Sequence, residues 1–119
     1  MKRGKQRMLL ALKNEFSTLL AQILPGYLRI VDAVVCAKYG VRAIDLLFNN
    51  PSKLYESLKE HYGDEVSAEM VLFEVFLRPL ARLLGYRITE HELLQEIRSG
   101  KDKEVVLKIL NTYLDRKAS

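Results

Sequence analysis

His91-Glu92-Leu93-Leu94-Gln95 stands one ligand short of a zinc-protease helix. That motif sets two histidines four residues apart on one helical face, with the intervening glutamate as general base. Here the second position holds Gln95, whose neutral amide oxygen is a poor zinc ligand. Glu92 also has a structural use, because Thr89-Glu90-His91-Glu92 fits a capping box at a helix start. The other histidine, His61, lies among Glu60, Asp64 and Glu65. The run offers nitrogen and oxygen donors, yet a helix end accounts for it, since positive charge complements the helix dipole there. Cys36, the single cysteine, has no partner for an internal disulfide and sits in the apolar run 33–37, which reads as a core thiol. The six glycines are scattered singly, so no phosphate-cradling loop is present. The residues therefore assign no catalytic position, no cofactor and no metal, and the expected function is non-catalytic.

The remaining chemical feature is a stripe of charge. In Met70 to Leu84, eleven of fifteen residues are apolar and the charges are Glu74, Arg78 and Arg82. They recur at steps of four and form one thin polar line on an otherwise apolar helix. Glu74 ahead of Arg78 has the orientation that stabilises a helix. The same three residues are the candidate interaction surface, because a helix apolar nearly all round needs covering by its own chain or by a second copy.

The elements that position this stripe follow from periodicity. Leu9, Leu12, Phe16, Leu19, Leu20 and Ile23 mark an amphipathic helix over Met8 to Leu24, ended by Pro25-Gly26. A second helix over Tyr27 to Tyr39 ends at Gly40, and Ile44, Leu47 and Phe48 allow a short helical turn after it. Asn50-Pro51 is an N-cap followed by proline at the first helical position. The helix it opens runs to Tyr62 and Gly63. The central helix spans about residues 66–84, with Pro79 inside it predicting a kink near Val75 to Arg78. Thr89 opens a helix to Arg98, Ser99-Gly100 breaks it, and Asp102 caps a last helix through Leu114. No segment alternates over a strand length, so the expected fold is all-α: a single domain over 1–119, a compact bundle of five to seven helices around the central one.

A chain of 119 residues with 49% hydrophobic and 29% charged residues is long enough to bury one core without disulfides. No run approaches the roughly eighteen apolar residues of a membrane span, so no membrane partner is expected, and the chain reads as cytoplasmic. The net charge of +4 is uneven: Lys2, Arg3, Lys5, Arg7 and Lys13 face no acid in residues 1–13, leaving fourteen bases against fifteen acids elsewhere. Residues 1–7 read as a basic flexible tail, and Lys2, Arg3, Lys5 and Arg7 are the candidate phosphate contacts. A nucleic-acid-associated role would combine them with the last two helices as a helix-turn-helix. There Lys103, Lys108, Asn111 and Arg116 are offset by Glu104 and Asp115.

Val34 to Gly85 resembles a small archaeal family of unknown function, the Nitrosopumilus-type output domain, which also occurs fused to signalling proteins. Lys38-Tyr39-Gly40 closing one helix, Asn50-Pro51-Ser52-Lys53-Leu54 opening the next, the Leu58 to Gly63 helix end and Leu80 to Gly85 carry the resemblance. It covers less than half of the chain and implies a helical module that relays a signal by protein contact, with no catalytic residues to transfer. The leading expectation is thus a self-associating interaction or signal-output module whose partner is a protein or a second copy of the chain. Association with nucleic acid is the alternative.

Overall fold

A computed structural model describes residues 2–118, which form seven helices and no strand among them. They are α1 (Lys2–Ile23), α2 (Pro25–Tyr39), α3 (Ala43–Asn49) and α4 (Pro51–Tyr62). The long α5 follows in three continuous segments, Glu65–Val71, Leu72–Leu77 and Arg78–Leu83, and then α6 (Glu90–Arg98) and α7 (Asp102–Ala118). The described residues span 41 × 26 × 24 Å, and none of their helices is long and apolar enough to cross a membrane.

α5 packs against α1, α4 and α6, while α4 reaches α2, α3, α5, α6 and α7. Leu72, Val75, Phe76, Leu77, Leu80, Ala81 and Leu84 are all buried. The other helices each bury one stripe in the shared core: Leu12, Phe16 and Leu20 from α1, Val31 and Val35 from α2, Leu54 and Leu58 from α4, Leu93 and Ile97 from α6, and Val105 and Ile109 from α7. The short α3 contributes most per residue, with Ala43, Ile44, Leu46, Leu47 and Phe48 all buried. Phe48 meets Phe16 edge to face at 6.0 Å between ring centres, a favourable quadrupole geometry.

Pro79 produces a local widening of α5. Its ring would collide with the carbonyl four residues back, and it has no N–H to give. The chain responds with a π-helical segment over Leu72–Leu77, in which the Arg78 N–H bonds to the Phe73 carbonyl five residues back. Where a kink was expected near Val75 to Arg78, the helix carries this π segment, with Pro79 in the first turn of the regular helix that follows.

Several sequence expectations are corrected. α1 begins at Lys2, so residues 2–7, read as a flexible tail, are its first turns. Cys36 is exposed, not a core thiol: Val31 and Val35 point inward, and one residue further the helix has rotated about 100° away. Asn50 precedes α4 without a capping bond from its side chain. The cap comes from α7 instead, where Asp102 Oδ1 accepts from the Ser52 N–H at 3.0 Å and Oδ2 from the Ser52 hydroxyl at 2.7 Å. α3 is served in the same way by Asp32 Oδ1, which accepts from the Ala43 N–H at 2.8 Å. These carboxylates fill orphan donors of neighbouring helices rather than of their own.

Candidate interaction surface

The three charges of α5 belong to a longer ridge. Val66, Met70, Glu74, Arg78 and Arg82 are all exposed; each step of four advances about 40° on an α-helix, and the wider π segment over Leu72–Leu77 offsets part of that drift. Val66 is 71% and Met70 61% exposed. The first half of the ridge is therefore apolar and the second half charged. Arg78 Nη1 bonds Glu74 Oε2 at 3.0 Å, and its guanidinium lies 5.6 Å from the centre of the Phe73 ring, a cation–π contact. Beyond the helix end stands Tyr86, 67% exposed and held at a φ of 60°.

Beside the apolar half, α5 and α6 enclose an open hollow of about 300 Å³ lined by Val66, Met70, Phe73, His91 and Leu94. The His91 ring rests 5.0 Å from that of Phe73, so the histidine of the near-motif is part of this surface. Thr89 Oγ1 accepts from the Glu92 N–H at 3.2 Å, as the capping box requires. The return bond from the Glu92 carboxylate is not formed among the described residues. At the other histidine, Asp64 caps α5 through the Ser67 N–H at 2.6 Å and hydroxyl at 2.9 Å. Those bonds hold its carboxyl below the usual range. Glu60 pairs with Lys38, and Glu65 lies 3.8 Å from Lys59. Among the described residues no three histidines, cysteines or acids gather closely enough to hold a metal ion.

A polar cleft of about 460 Å³ opens between α4, α5 and α6. Tyr55 donates to Glu69 Oε1 at 3.4 Å, and Arg98 Nε sits 3.0 Å from the same oxygen. Burial, then the Glu69 and Glu65 charges, push the phenol up. These groups satisfy one another, which makes the cleft a structural network rather than a set of groups aimed at a ligand.

Of the candidate phosphate contacts, Arg7 is exposed on α1. The side chains of Lys2, Arg3 and Lys5 lie outside the described residues. The sequence singled out Glu74, Arg78 and Arg82 but missed Val66 and Met70 on the same helix. The signal was the step of four itself, which continues from Glu74 back to Met70 and Val66. Their apolar side chains read as core by type.

The chain matches no protein-family model, no curated protein and no solved structure. The geometry defines a class, an all-α bundle with one outward ridge that is half apolar and half charged.

Proposed function

We propose that the protein is a non-catalytic, self-associating interaction module that pairs through the α5 ridge. The observation that carries this reading is the self-complementarity of the ridge. A two-fold axis passing between Glu74 and Arg78, with the two α5 helices antiparallel, sets Glu74 of one copy against Arg78 of the other. The same register places Met70 against the aliphatic stem of Arg82. Met70 thus gains a partner, and the charges form an alternating cluster of four. A C2 interface requires such self-complementarity, and arginine stems can cover apolar surface while the head stays in water. The resemblance to signalling output domains supports the same reading, since such a module works by contact.

The test is solution mass by light scattering across protein concentration. Met70→Lys sets two cations together, and Arg78→Glu sets two carboxylates together; each shifts the protein toward monomer. The swap Glu74→Arg with Arg78→Glu restores the pairing and with it the dimer. A dimer indifferent to both single changes would rule out this surface.

A further inference from the structure

A second surface lies on another face, where α1 and α7 run side by side. Tyr113 donates to Glu15 Oε2 at 2.6 Å, and Lys117 Nζ reaches Oε1 of the same residue at 3.3 Å. Further toward the start of both helices, Leu9 shares a hollow with Val106, Leu107 and Leu110. Lower numbers on α1 meet lower numbers on α7, so the two helices are parallel and their N-terminal ends lie at one end of the bundle. The hollow measures about 400 Å³, and its lining is completed by Phe48, Asn49 and Lys103. Its floor is apolar, with Phe48 and Leu110 buried, while Leu107 stands 48% exposed at the edge.

The charge at this end has one dominant sign. On α1, Arg7 is exposed in the turn before Leu9. Lys101, just ahead of α7, and Lys103 in its first turn are exposed. Glu104 is the opposing acid beside them, because the Asp102 carboxylate is engaged with Ser52. Lys13, one turn after Leu9, lies 3.5 Å from Asp45 and adds no unbalanced charge. An apolar floor with a basic surround is complementary to a helix bearing leucine-type side chains on one face and carboxylates beside them.

We infer that the α1–α7 groove is a docking site for an acidic amphipathic helix of a partner protein. Nucleic acid would meet the basic surround but has no aliphatic side chains to fill the floor. A bilayer surface takes apolar residues that project from a helix rather than a concave floor. A second copy of this chain would bring its own bases to the same end. This groove shares no residue with the α5 ridge, so it stands or falls separately from the self-association proposed above.

The test uses the full chain and a labelled synthetic helix of about 18 residues, five turns long, with leucines on one face and glutamates elsewhere. Its scrambled isomer, a DNA duplex and phosphatidylserine vesicles are run in parallel by fluorescence anisotropy or co-sedimentation. The amphipathic peptide should bind about tenfold more tightly than its scrambled isomer. Leu107→Glu and Lys103→Glu should each weaken it about tenfold, with Met70→Lys leaving it unchanged. Binding should also fall when salt is raised to about 1 M, where the Debye length is near 3 Å. Equal binding of the scrambled peptide, indifference to both groove variants, or capture of DNA or vesicles without the peptide would overturn the inference.

Discussion

Asp102 holds two helices together that are far apart in sequence, and its removal is a measurable test of the packing. Asp102→Ala deletes a carboxylate that accepts from the Ser52 N–H at 3.0 Å and from its hydroxyl at 2.7 Å. A hydrogen bond to a charged group contributes about 1.5–3 kcal/mol, and part of that survives as solvent enters the half-open site. The same carboxylate lies in the first turn of α7, where the dipole adds about 0.3–1 kcal/mol. The expected loss is about 2–3 kcal/mol in urea unfolding with an unchanged m value, or roughly 6–15 °C in Tm for a domain of this size. Asp102→Asn keeps an acceptor and loses the charge, and should cost about half as much. Ser52→Ala removes only the hydroxyl partner, so a double-mutant cycle with Asp102→Ala should return a coupling of about 1 kcal/mol. A loss below about 0.5 kcal/mol for Asp102→Ala, or strict additivity with Ser52→Ala, would refute the claim that α7 caps α4.

Two further perturbations probe the α1–α7 contact and the end of α5. Burial, then the hydrogen bond to Glu15 and its charge, push the Tyr113 hydroxyl up to about 12 from an ordinary 10. An acid whose folded pKa is raised leaves stability untouched below the unfolded value and lowers it above. The protein should therefore lose about 2–3 kcal/mol between pH 10 and 12, and the difference from Tyr113→Phe in alkaline urea titrations should isolate that loss. The bond from Tyr113, followed by the one from Lys117, holds the Glu15 carboxyl below the usual range. Its contribution is present above the unfolded pKa and is lost as pH falls through the folded one, so Tyr113→Phe should also flatten the acid limb. Tyr86 adopts a φ of 60°, a left-handed conformation that costs a non-glycine residue about 1–2 kcal/mol. Tyr86→Gly should raise stability by about 0.5–1 kcal/mol after the entropy of glycine is set against the relief.

The helix boundaries could be read from the sequence wherever capping is local. Gly40, Gly63 and Gly85 end their helices at φ of 71°, 80° and 71°, the left-handed position that glycine takes without steric cost. Thr89 caps α6 three residues ahead, as its spacing implied. What escaped was set by neighbours distant in the chain. Asp102 reads as a cap for the helix it begins, and only the fold shows that Ser52, fifty residues earlier, takes its carboxylate. Cys36 reads as core because its neighbours in sequence are apolar, yet a helix buries by angle, and Val35 already occupies the inward position. The proposed pairing surface was half visible. Glu74, Arg78 and Arg82 announce themselves by charge, whereas exposed Val66 and Met70 are indistinguishable by type from Leu72 and Phe76, which are buried.

Light scattering on the wild-type chain and its charge variants tests the proposed self-association through α5. The mass should rise with concentration from 13.7 kDa toward twice that value. Arg78→Glu should be monomeric, and adding Glu74→Arg should recover the dimer. A wild-type protein that stays at the monomer mass at every concentration would contradict this pairing, as would an Arg78→Glu variant that the compensating change fails to rescue.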